Sequence, residues 1–166
     1  GITTCPINKE SLRLAGVRHA GHTEILKSMT RAKDVCMMMT SPDITVSLAT
    51  THLALKDVPS SLSRQRVATV IDLTVKTMKK MGRQSPRITV CGLNCHAGEH
   101  GLFGNEEKTI IEPAVKLMKS KKLRITGPIP PDTAFIDAIR NKTDAYIAMY
   151  HDQGLIPFKM LAFDRG

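Results

Sequence analysis

Short apolar runs alternate with longer amphipathic stretches along this chain of 166 residues. The apolar runs have the length and the β-branched content that favour strands, and they lie at residues 34–40, 44–50, 87–93, 122–127 and 144–150. Between residues 64 and 81 the apolar side chains recur at spacings of three and four, which predicts an amphipathic helix. The pattern therefore predicts strands that alternate with helices along the chain.

Two further helices and one hairpin follow from the same pattern. Asn105 can cap a helix whose first turn carries Glu106 and Glu107, where negative charge is favourable. Pro113 lies inside that pattern and can kink the helix or mark where its regular part begins. Residues 130–141 predict a short helix. Because only three residues join the first two strands, that pair is expected to be a hairpin. The pattern predicts an α/β domain with a largely parallel, mixed sheet.

The composition is that of an ordinary soluble globular protein, with 42% hydrophobic residues. There is no apolar run of about eighteen residues or more, so no membrane span is expected, and the opening residues do not resemble a signal peptide. The four cysteines lack the density of a disulfide scaffold, so reduced thiols and a cytoplasmic location are expected. Both ends look unfinished, which suggests an internal fragment of a longer protein.

The formal net charge is +9, which suits nucleic acid, an anionic membrane or a small anionic substrate. The basic residues are dispersed apart from a modest cluster at 116–124, and only 4% of the residues are aromatic, so no row of stacking platforms is present. A solvated basic surface is therefore the preferred interpretation, with no nucleic-acid or membrane partner. A basic nucleic-acid-binding module stays open as the alternative, and its affinity should fall steeply with salt.

Three histidines follow predicted strands directly: His52, His96 and His151. In open α/β sheets, ligands bind just outside the carboxyl ends of the strands. Three neutral imidazoles with open positions left over suit a catalytic divalent ion. For any one of these histidines alone, the plainer interpretation is that loops at strand ends collect polar residues anyway. Asp152 can orient a ligand histidine, or it can cap a turn.

Two other stretches could bind an anion. "GHTE" at 21–24 could present His22, Thr23 and backbone N–H groups at the start of a helix, or Thr23 could be a plain helix cap. Lys159 ends an apolar run and is in reach of His151 if the chain turns at Gly154, although it could equally be a snorkelling surface lysine. The glycines of the loop at 98–104 lack the spacing of a phosphate cradle.

Five motifs then occur in order: "GHTE", "ATTHL", "GLNCHAGE" with "GLFGNEE", "PPDT" and "MYHDQGLIPFK". With them the whole chain resembles the 4-hydroxythreonine-4-phosphate dehydrogenase family of pyridoxal phosphate biosynthesis. That family includes relatives acting on 4-phospho-D-threonate and 4-phospho-D-erythronate. Cys95 stands where the family motif usually has proline, and "GLFG" is closer to the phospho-threonate and phospho-erythronate relatives.

The resemblance implies a three-layer α/β/α fold like that of isocitrate and isopropylmalate dehydrogenases. It also implies two subdomains and an active site shared across a homodimer. Residues 1–166 would be the central portion, without the N-terminal and C-terminal segments of the family. Expressed alone, such a portion is expected to be inactive and aggregated or oligomeric, because strand edges and apolar surface are left uncovered.

The resemblance further implies roles for particular residues. His52, His96 and His151 would hold one divalent ion, which could be zinc, magnesium or cobalt, while His22, Thr23 and Lys159 would bind the substrate. The implied reaction is the NAD-dependent oxidation of a phosphorylated 3-hydroxy acid such as 4-phosphooxy-L-threonine.

In the implied mechanism, the ion lowers the pKa of the substrate hydroxyl and stabilises the enolate when the resulting β-keto acid loses carbon dioxide. An acyl- or phosphate-transferring enzyme on a similar fold is the rival. It would keep the anion site and need no three-histidine metal site.

Overall fold

The computed structural model describes residues 2–17, 19 and 21–163. Residues 1–35 and residues 36–166 form two compact units. In its described residues the first unit holds two helices, α1 (Lys9–Leu14) and α2 (His22–Thr30). The side chain of Asn8 caps α1 by accepting the Ser11 N–H at 2.9 Å, which satisfies one of the backbone donors that a helix start leaves open.

The second unit is built on five strands: β1 (Met37–Thr40), β2 (Thr45–Leu48), β3 (Arg87–Cys91), β4 (Arg124–Ile129) and β5 (Ala145–Ala148). Their order in the sheet is β1-β2-β5-β3-β4. β1 and β2 pair antiparallel and form the predicted hairpin, whereas the β2–β5, β5–β3 and β3–β4 pairs are parallel. The predicted mixed sheet is confirmed.

In the part of the second unit that the structure describes, six α-helices connect or cover these strands: α3 (Val58–Ser61), α4 (Arg64–Lys80), α5 (Glu112–Lys119), α6 (Pro131–Ala134), α7 (Asp137–Arg140) and α8 (His151–Ala162). α4 confirms the helix predicted between 64 and 81, and Ser63 caps it by accepting the Arg66 N–H at 3.1 Å. The single helix predicted at 130–141 is wrong, because the backbone of Ile136 is extended and divides the segment into α6 and α7.

The helix that leads into α5 is wound unusually before Pro113. Residues Glu107–Ile111 form π-helical turns that continue directly into α5. Proline has no N–H to donate and its ring crowds the carbonyl four residues earlier, so a regular α-helix would be strained there. The wider π turn accommodates this residue, and the helix still begins just after Asn105, as predicted.

The sheet lies between two helical layers, so the predicted three-layer arrangement is confirmed. On one face the core packs against α4 and α5, and it includes Ile88, Val90, Ile147, Val67, Ile71 and Met118. On the other face it packs mainly against α8, and it includes Val46, Leu48, Tyr146, Ala148, Leu155 and Phe158. Alternate residues of β5 serve opposite faces, as the period of a strand requires.

α8 lies unusually close to the sheet at Gly154. A Cβ atom added there would be 2.6 Å from Cγ1 of Val46 and 2.9 Å from Cδ2 of Leu48. This close approach needs a residue without a side chain, and it fixes where α8 begins relative to β2 and β5. In the part of the chain that the structure describes, no helix is both long and apolar enough to cross a bilayer.

Candidate active site

The three candidate histidines follow three adjacent parallel strands. His52 comes after β2, His151 after β5 and His96 after β3, and these strands are neighbours in the sheet. Parallel neighbours end at the same edge, so the fold brings all three segments to the carboxyl edge of the sheet. The topology therefore agrees with the expectation that the three histidines lie at the same edge of the sheet.

His52 and His151 form a close pair. Their ring centroids are 5.5 Å apart and the rings are tilted by 42°. His151 is the first residue of α8, and its Nδ1 lies 2.7 Å from Oδ1 of the neighbouring Asp152. A neutral imidazole that donates Nδ1–H to a carboxylate presents Nε2 outward as a lone-pair donor.

His96 makes its ring contact with a different residue. It belongs to the segment Cys95–Gly101, in which residues 96–100 have φ values between 42° and 82°. Its ring lies 6.0 Å from that of Phe103. Left-handed backbone costs about 1–2 kcal/mol at each non-glycine residue, and such strain concentrates at functional loops.

The fit of a divalent ion is therefore partial within one chain. Two imidazoles and a carboxylate that orients one of them are the donor chemistry that zinc or cobalt prefers. Among residues 2–17, 19 and 21–163, however, no three His, Cys, Asp or Glu side chains are arranged to hold a metal ion. The assignment of His52, His96 and His151 as one ligand set stays a prediction.

Two buried polar residues support this edge, and their role was not recognised from the sequence. Glu107 accepts the N–H groups of Leu93 and Asn94 at 2.6 and 2.7 Å. Gln153 accepts the Met149 N–H at 2.6 Å and donates to the Gly92 carbonyl at 2.8 Å. The sequence places Glu107 in a first helical turn, which is usually exposed, and only the tertiary structure reveals its burial.

A cleft of about 760 Å³ opens beside His96. Its walls come from the 96–101 segment, from Glu107, Lys108 and Glu112, from Gly127 and Pro128 within β4, and from Pro130 just after it. The cleft has the size of a small-molecule site. It lies beside His96, and neither His52 nor His151 lines it.

Tyr150 and Cys91 lie next to this edge and remain protonated at neutral pH. Burial raises the pKa of Tyr150, and the negative charge of Asp152 raises it further. Burial also raises the pKa of the Cys91 thiol to about 12. Cys91 is therefore a core residue and not a thiolate nucleophile.

Lys159 does not approach His151 through a turn. The chain does not turn at Gly154, because α8 runs without interruption from His151 to Ala162, so that interpretation is wrong. Lys159 is exposed on the same helix, about 12 Å further along its axis at 1.5 Å per residue. Its role in substrate binding stays a prediction.

His22 and Thr23 belong to the first unit. They are the first two residues of α2, whose N-cap is Gly21, so the interpretation of Thr23 as the cap is wrong. Nε2 of His22 lies 3.1 Å from the Cys5 carbonyl oxygen. The role of this pair in substrate binding also stays a prediction.

All residues from 1 to 166 match the family model described as pyridoxal phosphate biosynthetic protein PdxA. The chain belongs to the PdxA family. It is 48% identical to the 4-hydroxythreonine-4-phosphate dehydrogenase of Desulforapulum autotrophicum, over 99% of this chain and 49% of that protein. It is 45% identical to the D-threonate 4-phosphate dehydrogenase of Pectobacterium atrosepticum, over 99% of this chain and 51% of that protein. The chain thus spans about half the length of these PdxA-family relatives.

Solved structures agree with this membership. The 4-hydroxythreonine-4-phosphate dehydrogenase of Klebsiella pneumoniae matches with a TM-score of 0.88 at 44% identity, over 94% of this chain and 47% of that one. A terephthalate 1,2-cis-dihydrodiol dehydrogenase of Burkholderia xenovorans matches with a TM-score of 0.80 at 28% identity, over 90% of this chain and 48% of that one. All these relatives are named as dehydrogenases, and their names give different substrates.

Proposed function

We propose that the protein containing this chain is an NAD-dependent, divalent-metal-assisted dehydrogenase of 4-phosphooxy-L-threonine, of the pyridoxal phosphate biosynthesis type. The relatives' names support the reaction class and the phosphorylated hydroxy-acid substrate. The observation that carries the proposal is the pair of imidazoles, His52 and His151, at the carboxyl edge of the parallel strands. A β-keto acid product that loses carbon dioxide completes the proposed reaction.

The proposed roles follow from the chemistry of the side chains. His52, His151 and a third imidazole from His96 would hold the ion, which would supply Lewis-acid activation of the substrate hydroxyl. Asp152 keeps Nδ1 of His151 engaged, so that Nε2 faces outward. The buried strand ends behind the histidines exclude water from one side of the site, and NAD would accept the hydride.

The phosphate and the carboxylate of the substrate need cationic or N–H donors. We assign this donor role to Lys159, a cationic side chain on the exposed face of α8. We also assign it to His22 and Thr23, whose backbone N–H groups lie in the first turn of α2. A charge-assisted hydrogen bond to phosphate is stronger than a neutral one. A net charge of +9 favours anionic substrates in general.

We also propose a homodimer with a shared site, in which this chain is the central part of a two-subdomain enzyme. Support comes from the described residues of one chain, in which no three His, Cys, Asp or Glu side chains are arranged to hold a metal ion. In a two-fold dimer, the partner's His96 can complete the ligand set. The four free cysteines agree with a cytoplasmic enzyme.

Mixing two inactive variants tests the sharing. If the site is shared, His52→Ala and His96→Ala proteins should each be inactive, and hybrid dimers should contain one intact site. Statistical mixing then restores about a quarter of the parental activity. Sites confined to one chain would give no recovery, because each hybrid site would lack one histidine.

A second candidate is the oxidation of 4-phospho-D-threonate or 4-phospho-D-erythronate, which the 45% identity to the D-threonate 4-phosphate dehydrogenase favours. A steady-state NADH assay of the full-length protein with the three phosphorylated acids separates the candidates. For the main proposal, kcat/KM should be highest for 4-phosphooxy-L-threonine by a factor of about ten or more, or about 1.4 kcal/mol. No NADH from any of the three acids, with metal present, would contradict both.

A further inference from the structure

We propose that Gln153 and Glu107 are positioning residues that hold the segments bearing His151 and His96 in a fixed relation to each other. The hydrogen bonds that carry this proposal stand by themselves. Its consequence for metal binding rests on the proposed function. Neither residue touches a reacting atom, and each acts through the backbone of the strand ends.

Gln153 bridges two neighbouring strands just where their own pairing stops. β3 and β5 pair up to Val90 and Ile147, and continuing this register two residues further places Gly92 opposite Met149. Gln153, which is only 7% exposed, accepts from the Met149 N–H at 2.6 Å and donates to the Gly92 carbonyl at 2.8 Å. The side-chain amide of Gln153 supplies both the acceptor and the donor that this bridge needs.

Glu107 holds the next two residues of the same strand end. It is 3% exposed, and its Oε1 accepts the N–H groups of Leu93 and Asn94 at 2.6 and 2.7 Å. Its Oε2 accepts from Nδ2 of Asn94 at 2.9 Å. A carboxylate with three N–H donors makes charge-assisted bonds, which are roughly twice as strong as neutral ones.

Residues 92–94 connect the side chains of Gln153 and Glu107. Gln153 lies two residues after His151 on α8, and Asn94 lies two residues before His96. Between them, residues 92–94 are fixed by Gln153 from one helix and by Glu107 from another. Gly98 closes over Glu107 so tightly that an added Cβ would be 2.6 Å from Oε2. A displacement of either helix is therefore passed to the His96 segment.

The alternative is that both residues merely satisfy buried backbone groups. Losing such a bond costs stability in either case, so stability alone cannot decide. Positioning predicts a change in the metal site as well. Cobalt reports this directly, because its visible absorption depends on the geometry of its ligands.

The variants are made in the full-length protein. Gln153→Met keeps the volume and removes both bonds, and Gln153→Glu keeps only the acceptor. Glu107→Met removes all three bonds, whereas Glu107→Gln keeps an oxygen for the two backbone N–H groups. The matched controls are Met160→Gln on the exposed face of α8 and Glu106→Gln, whose amide oxygen can still accept from Asn94.

Positioning predicts that Gln153→Met and Glu107→Met lower the cobalt affinity by roughly 10–100-fold and alter the cobalt spectrum, as removal of orienting groups behind metal ligands usually does. Hydrogen exchange of residues 92–101 should become faster. Glu107→Gln should recover most of the loss, and both controls should behave like the parent. If the Met variants fail to fold, the cobalt affinities of Gln153→Glu and Glu107→Gln are compared instead. Positioning predicts weaker cobalt binding in Gln153→Glu, which loses the bond to Gly92, than in Glu107→Gln, and equal parental affinities would overturn it.

Folded variants with parental cobalt affinity and spectrum would overturn the positioning role, even if they were less stable. If the parent itself binds no cobalt, the metal part of the proposed function fails. Hydrogen exchange of residues 92–101 is then the only test of the positioning role. Faster exchange at 92–101 in Gln153→Met would support the coupling, and unchanged exchange would overturn it.

Discussion

The two edges of the central sheet are built on opposite principles. At the amino edge, polar side chains satisfy one another: Asp144 accepts from the backbone N–H of Arg87 at 2.7 Å and from its guanidinium at 3.0 and 3.1 Å. The hydroxyl oxygens of Thr89 and Thr143 lie 2.7 Å apart. At the carboxyl edge, no residue in the described ranges makes a hydrogen bond to the ring of His52 or His96.

The backbone at the carboxyl edge is nevertheless secured. Gln153 and Glu107 reach in from two helices and hold the strand ends behind the imidazoles. At the amino edge, polar side chains bond to one another and stabilise the fold. At the carboxyl edge, Gln153 and Glu107 fix the backbone, and the His52 and His96 rings are left available for a ligand. Free, well-positioned donors on a rigid base are what a binding site requires.

The largest effect is expected at the close approach of α8. Gly154→Val should destabilise the protein by about 3 kcal/mol or more, because the new side chain overlaps Val46, Leu48 and Ala148. Urea unfolding of the full-length protein measures the change. Met160→Val, on the exposed face of the same helix, should cost less than about 0.7 kcal/mol. Equal costs at both positions would show that α8 can move away from the sheet.

At the amino edge, Asp144→Asn should cost about 1.5–3 kcal/mol at pH 7 without changing metal binding. The Arg87 hydrogen bonds hold the pKa of Asp144 below its usual value. The stabilisation is therefore present above the unfolded pKa of about 3.9 and is lost as the pH falls through the lower folded pKa. Urea unfolding at pH 7 and near pH 3 measures this loss. A difference between parent and variant that does not shrink in acid would contradict the assignment.

Most of the fold and the position of the three histidines can be predicted from the sequence, whereas α8 and the burial of Glu107 cannot. The strands and α4 follow from local periodicity, and the hairpin follows from a connection too short for a crossover. The histidines reach one edge because parallel strands share their direction. The uninterrupted α8 was missed because Gly154 and Pro157 disfavour a helix locally, whereas the packing of Gly154 against β2 and β5 outweighs that preference. The burial of Glu107 depends on a strand end more than ten residues away in sequence.

An intermediate effect is expected for the substrate anion. Lys159→Ala should raise KM for the phosphorylated substrate by roughly ten to a few hundred-fold, the loss of one charge-assisted hydrogen bond worth about 1.5–3 kcal/mol. An unphosphorylated analogue should lose much less if Lys159 contacts the phosphate. Equal losses for both substrates would assign Lys159 to the carboxylate or to structure.

A smaller effect is expected for the group behind His151. Asp152→Asn should lower metal affinity by roughly 10–100-fold, because the amide orients the imidazole less firmly than the carboxylate does. Isothermal titration with zinc measures this change, and the free energy of unfolding without metal should stay within about 0.5 kcal/mol of the parent. Parental zinc affinity would show that Asp152 is a residue of the first turn of α8 with no role in metal binding.

The contrast between the edges is tested most directly by metal content. The full-length protein is dialysed against zinc or cobalt, and the bound metal is counted for the parent, for the His52→Ala, His96→Ala and His151→Ala variants, and for Asp144→Asn from the opposite edge. We expect about one ion per chain in the parent and in Asp144→Asn, and far less in each histidine variant. Metal content that is unchanged in all three histidine variants, or absent from the parent, would contradict a metal site at the carboxyl edge.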